Sequence, residues 1–199
     1  DDSAFCAMES GIIKEEQQTS KHEPTDTAGR ANAMRVRNKS SVVAVDTVGV
    51  GAGVGSMLRE MQEDGWNVHS FNGAEKPVNP KSEYHNLRAE LWFYGREQLL
   101  LGRVQPPADP VAQEELCEVK YFYTSKGKIQ LEKNEDVKER LGRSPDRAYA
   151  WLLAVWGLQY AEDAQDGYSR AAGAAGRARA RSRPRAREGC GPRRGSRRS

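Results

Sequence analysis

The 199 residues carry 31 Lys and Arg against 28 Asp and Glu, and 3 cysteines. The charge is split: residues 164–199 hold 11 Arg and 2 acids while residues 1–163 hold 20 basic and 26 acidic groups, which excludes a uniformly basic nucleic-acid binder. Cys6, Cys117 and Cys190 lie far apart with no CxxC, which excludes a disulfide framework and a cysteine zinc site and makes a reducing, intracellular setting the expectation. The longest apolar run, AWLLAVWGL, falls short of the ~20 residues that span a bilayer, so no membrane association is expected.

The chain opens at Asp1 rather than Met, and its true start is expected upstream. SAFCAMESGIIKEEQQ reads as two strands about a Glu9-Ser10-Gly11 turn, with Phe5 and Ile12 on the buried side. From Pro24 to about Asn38 the apolar positions Ala28, Ala31, Met34 and Val36 take helical spacing, with Thr25 or Asp26 near the cap. Ser41 to Val45 is a short buried strand ended by Asp46, and Gly49, Gly51, Gly53 and Gly55 lead into a helix from about Ala52 to Glu63.

Glycines between a strand and a helix invite a phosphate reading, because bare N–H groups and the helix dipole favour anions. The spacing argues against it. A dinucleotide fingerprint needs glycine at i, i+2 and i+5, yet the last slot is Val54 counting from Gly49 and Ser56 counting from Gly51. There is no Gly-Lys-Ser/Thr ending for a P-loop. A tight turn that lets the helix pack close to the strand explains the glycines and leaves Asp46 in need of a partner.

Gly65 stops that helix, and WNVHSF forms the next strand. After a Pro/Asn-rich loop, Leu87, Leu91, Trp92, Leu99 and Leu100 mark a long amphipathic helix ending near Gly102, with the stripe Leu87, Leu91, Trp92 and Leu99 read as core. VQPPADP is a linker, and EVKYFYTSKGKIQLEK alternates about Lys126-Gly127 as a β-hairpin. In RLGRSPDRAYAWLLAVWGLQY, Ser144 is a natural N-cap, Pro145 suits the first helical position and Asp146 falls in the first turn. Alternating strands and helices make an α/β sheet protein. From Ser169 onward no residue is aromatic or a larger aliphatic than alanine, so residues 164–199 are expected to form a disordered Arg-rich tail. Its alternation of Arg with Ala, Ser and Pro also fits a GC-rich gene read out of frame, which an ordinary codon bias through residue 199 would refute.

Asp146 is the partner that Asp46 calls for. An acid at a strand end and an acid at a helix start can converge on one side of a sheet, the way carboxylates gather divalent ions for phosphodiester hydrolysis. The residues alone leave the plain readings open: Asp146 as a helix-dipole acid and Asp46 as a turn-forming Asx. Lys126, Lys128, Lys133, Arg140 and Arg143 form a loose basic set beside Asp146, either a solvated surface or contacts to DNA phosphates. His22, His69 and His85 match no metal spacing and are given no catalytic role.

VVAVDTVGVGAGV, YHNLRAELWFYGREQLLLGRV and ERLGRSPDRAYA, in this order and with the KYFYTSKGKIQLEK hairpin between the last two, resemble the nuclease domain of the large subunit of tailed-bacteriophage terminases. The resemblance covers about Asp1 to Tyr160. It implies a ribonuclease-H-like mixed sheet flanked by helices, with a C-terminal β-hairpin and helix, and a terminase-like domain over residues 1–163 that lacks its first strand. It implies two Mg²⁺ or Mn²⁺ ions held by three acids, with Asp46 matching the second and Asp146 the third; the first has no match, and Asp1 or Asp2 could match an accessory acid of the turn that follows it, Asp2 as a metal ligand. A second acid common in the family three residues after the third is Tyr149 here, and the family's ATPase domain would lie upstream. Double-stranded DNA, a portal protein and a terminase small subunit are the implied partners, in the cytoplasm of a bacterial host, and the fragment alone is expected to be inactive. Other expectations are a resolvase or transposase core, or a catalytically dead module docking on DNA or a portal.

Overall fold

The structure, a computed structural model, describes residues 2–20, 23–49, 51–79 and 82–161. The chain opens with a hairpin of β1 (Asp2–Glu9) and β2 (Ile12–Ser20). Ser10 and Gly11 make its turn at φ 49° and 80°. Helix α1 (Pro24–Asn38) starts with proline in its first turn and ends on Lys39 in the left-handed region. Next come β3 (Val42–Asp46), α2 (Gly51–Glu60), β4 (Asn67–Phe71) and α3 (Leu87–Leu100). Helix α4 (Pro110–Glu118), the short hairpin β5 (Tyr121–Tyr123) and β6 (Ile129–Leu131), and α5 (Asn134–Leu141) follow. The last described element is α6, residues 146–161.

β3 and β4 are parallel in direct register, Val42 to Asn67 through Asp46 to Phe71, so both strands end at the same rim. Their alternation sorts side chains onto two cores. Val43, Val45 and Val68 pack with Ala28 of α1, Val54 and Leu58 of α2 and Trp66. Ala44 and Phe71 face the larger cluster of Leu91 and Trp92 from α3 and Trp151, Leu152 and Val155 from α6, which Cys6, Met8 and Ile13 also join. Helices thus cover both faces, as a parallel pair requires.

Two glycines allow close packing. A Cβ on Gly51 would lie 1.9 Å from the Asp46 carbonyl oxygen, so α2 begins hard against the end of β3; this is the close-packing turn expected of the glycine loop. A Cβ on Gly95 would lie 2.3 Å from Leu152 Cδ2, where α3 crosses α6.

Four expectations change. The strands do not make one mixed sheet: β1–β2, β3–β4 and β5–β6 are three separate two-stranded ladders among the described residues, because β1 and β3 stand apart across a cavity. Ile12 is 47% exposed, since an irregularity between Ala7 and Met8 breaks the hairpin's alternation and Ile13 packs inward in its place. Helix α2 stops at Glu60, three residues short of Glu63. Helices α4 and α5 occupy segments for which no element was expected, one after the VQPPADP linker and one after the hairpin. Their marks were local: Asp109 caps α4 by accepting from Val111 N–H at 2.9 Å with Pro110 in the first turn, and Gly142 at φ 74° closes α5. The Arg-rich tail, its boundary at residues 163 and 164, and Cys190 lie outside the described residues. Among the described residues no helix is long and apolar enough to cross a membrane.

Candidate metal centre

β3 delivers Asp46 to the rim where α2 begins. Its Oδ1 accepts from Val48 N–H at 3.0 Å, so the Asx turn expected of a lone strand-end acid is present and orients the carboxylate. Burial pushes the Asp46 carboxyl up from its ordinary value, against the pull of the Val48 and Thr47 N–H groups.

α6 delivers Asp146 at its first residue, behind the buried Pro145. Burial, then the nearby charges of Glu115 and Asp2, push the Asp146 carboxyl up to about 6. Asp2, Asp46 and Asp146 all line the same cavity of about 1270 Å³. A carboxylate held in partial burial beside the charges of Glu115 and Asp2, as Asp146 is, suits a cation.

A residue that the sequence did not single out builds this site. Glu115 of α4 is 1% exposed and accepts from the N–H groups of Arg147 and Ala148, both at 3.0 Å, and from Arg143 Nε at 3.1 Å. It supplies from another helix the cap that the first turn of α6 needs. The apolar spacing of Ala112 and Leu116 around it gave no sign of the role.

Tyr149 lies one turn beyond Asp146, its ring edge-on to Trp92 at 5.1 Å and the Arg88 guanidinium carbon 5.9 Å from its centroid. Burial pushes its hydroxyl up to about 12, with Arg88 opposing and Asp46 adding to the shift, so Tyr149 lies within electrostatic reach of Asp46 and is a neutral group there.

The basic set divides. Arg140 pairs with Glu118 and Glu132, both at 2.5 Å, and Arg143 with Glu114 and Glu115, so both are engaged within the domain. Lys128 donates to the Ser82 carbonyl at 2.6 Å. Lys126 at the hairpin tip and Lys133 ahead of α5 are exposed. His69 stacks on Tyr160 at 4.0 Å, a packing contact.

The donor chemistry fits a hard divalent cation, being all carboxylate. Among the described residues, however, no three acidic, His or Cys side chains come close enough together to hold one.

Helices on both faces of a parallel strand pair, with an antiparallel hairpin beside it, make an α/β domain whose fold is of the ribonuclease-H-like class. Within that class the chain has the fold of large-terminase nuclease domains. It is similar to the nuclease domain of the large terminase subunit gp2 of bacterial virus Sf6, at 19% identity and a TM-score of 0.65 over 76% of this chain and 80% of that one. A point mutant of that domain with manganese gives 20% identity and a TM-score of 0.64, over 76% of this chain and 82% of the other. The large terminase nuclease of thermophilic phage G20c with bound magnesium gives 18% and 0.52, over 78% and 81%. No family model and no curated protein matches the sequence.

Proposed function

We propose that this domain is the metal-dependent endonuclease domain of a viral DNA-packaging terminase large subunit, cutting concatemeric double-stranded DNA. The observation that carries the reading is that Asp46, from a strand end, and Asp146, from a helix start, line one cavity with Asp2 in a fold shared with terminase nucleases.

Asp46 and Asp146, with Asp2 as accessory ligand, would hold Mg²⁺ or Mn²⁺, an expectation supported by the manganese and magnesium of the similar structures. Such ions, bound as a pair, activate a water and stabilise the leaving oxygen. The chain's own part is orientation. The Val48 N–H holds one oxygen of Asp46, and Glu115 anchors the turn that presents Asp146. Within that basic set, Lys126 and Lys133 are the exposed lysines available to DNA phosphates, a contact that fixes position without reading sequence. A portal protein, a small subunit and a bacterial cytoplasm belong to the same proposal.

The lack of a close group of three acids among the described residues favours a second reading for the 199 residues by themselves: a module that docks on DNA or a portal without cutting. Plasmid nicking with Mn²⁺ separates the two. The 199 residues should nick little or not at all, and a form extended before Asp1 to bring a further carboxylate to the rim should nick, losing activity on Asp46→Asn or Asp146→Asn. Robust cleavage by the unextended chain that survives Asp46→Asn would overturn the assignment of the chemistry to these acids.

A further inference from the structure

Strand β5 is aromatic at every position and open to solvent: Tyr121, Phe122 and Tyr123 are 54%, 49% and 65% exposed. The pairing with β6 shows what is unusual in this. Tyr121 stands opposite Leu131 and Tyr123 opposite Ile129, so the four side chains share one face of the hairpin. Leu131 and Ile129 are buried, so that face is core at β6 and uncovered at β5. Tyr121 packs edge-on against Phe93 of α3 at 5.3 Å and against Tyr123 at 6.2 Å, which roots the outermost ring in the body of the domain. Phe122 takes the opposite face of the strand. Contiguous apolar surface left in water marks a contact site.

The charge around these rings selects the ligand. From Lys120 to Lys133 the hairpin holds four lysines and one acid, Glu132, which pairs with Arg140 at 2.5 Å. Lys120, Lys126 and Lys133 are exposed. The surface therefore suits an anion that also presents flat rings. A protein partner needs one continuous face, whereas the rings of β5 lie on both faces of a strand and suit a flexible ligand that bends around it. A single nucleic-acid strand has both properties, with phosphates for the lysines and bases whose faces are free to stack. In a duplex those faces are covered by neighbouring bases.

We propose that the β5–β6 hairpin is a stacking platform for single-stranded DNA, with Tyr121, Phe122 and Tyr123 taking unpaired bases and Lys120, Lys126 and Lys133 the phosphates. The choice of nucleic acid over an acidic protein rests on the nuclease reading. β6 leads directly into α5, whose Asn134 lines the same cavity as Asp46 and Asp146, so a strand on the platform is held at the margin of the acid site.

The test uses the full 199-residue chain in EDTA, so that no cleavage enters and a failure here leaves the nicking experiment untouched. The probe is an oligothymidylate of about 12 nucleotides carrying one photoreactive 5-bromodeoxyuridine. Excess unlabelled duplex is present throughout to occupy the Arg-rich residues 164–199. Crosslinks should fall in the tryptic peptide from Tyr121 to Lys126 and be displaced by unlabelled single strand. Phe122→Ala with Tyr123→Ala should weaken single-strand binding about tenfold or more, while Tyr123→Phe, which keeps the ring, should stay within about twofold of the parent. Should circular dichroism show the double variant unfolded, Tyr123→Ala alone, at the most exposed ring, is read in its place. Crosslinks only elsewhere, single-strand affinity unmoved by alanine, or an equal loss with Tyr123→Phe would overturn the proposal. So would a dimer seen by sedimentation that dissociates on the alanine substitutions, since a second copy of the chain would then be the occupant.

Discussion

The Glu115 carboxylate, on α4, accepts the Ala148 N–H of α6 at 3.0 Å, two residues beyond Asp146. One buried acid therefore does two things: it holds the turn that presents Asp146, and its charge raises the Asp146 carboxyl.

Glu115→Ala should leave the Arg143 Nε–H and two backbone N–H groups without their acceptor, while Arg143 keeps Glu114. Removing one partner of a buried charged pair costs about 3–5 kcal/mol, and the 37% exposure of the Arg143 side chain puts this case at the low end. Urea unfolding measures it. Glu115→Gln keeps one acceptor and removes the charge, so it should cost less and should lower the Asp146 titration midpoint seen by carboxyl NMR. An unmoved midpoint would mean that burial alone sets it.

Gly51 and Gly53, two residues apart in α2, should respond with opposite signs to alanine. At Gly51 the new methyl meets backbone, 1.9 Å from the Asp46 oxygen and 2.9 Å from its carbon, and overpacking of this kind costs about 1–3 kcal/mol. At Gly53 the nearest atom is Pro24 Cβ at an ordinary 3.7 Å, and replacing a helical glycine with alanine gains about 0.5–1 kcal/mol. Thermal melts of the two variants decide it. Equal effects would mean that α2 does not press on the end of β3.

The periodic segments were legible: Pro24–Asn38, Leu87–Leu100, the strand ending in Asp46 and the helix from Asp146 all lie where their patterns put them, because each carries a buried face and a local start signal. Helices α4 and α5 were harder, being of 9 and 8 residues with one or two buried positions each. Glu115 was not legible at all. Its role depends on hydrogen bonds to residues 28 to 33 positions away, and nothing local distinguishes it from Glu114 or Glu118.

The opposed charges predict where non-specific DNA affinity resides. Residues 1–163 carry 20 basic and 26 acidic groups, and several of the basic ones are already paired, as with Arg140 and Arg143. Removing residues 164–199, with their 11 Arg, should abolish most duplex binding at physiological salt and flatten the log–log salt dependence by about 0.9 for each phosphate that the tail neutralises. Equal affinity in both forms would place the DNA surface on the folded body instead.

The last prediction concerns pH and metal together. Asp146 is pushed up from 3.8 to about 6, and Asp46 moves in the same direction. For an acid raised in this way the native state binds the proton more tightly than the unfolded chain, so folding is favoured while the group is protonated and loses stability as pH rises from about 4 through about 6. Glu9 and Glu15, lowered by Lys14 and Arg37, act in the opposite sense, so the informative quantity is the difference between the chain and Asp146→Asn. Without metal the variant should gain stability relative to the parent across that window. With Mn²⁺ the order should reverse above about pH 6, because an ionised carboxylate is then stabilised by the cation and the amide is not. Removing a ligand should weaken Mn²⁺ binding at least as much as the ~10–100-fold seen when a ligand's supporting group is removed, which calorimetry can read directly. Stability curves that stay parallel with and without Mn²⁺ would show that Asp146 neither titrates in this window nor meets the ion, and the acid at the start of α6 would then be a helix-dipole group only.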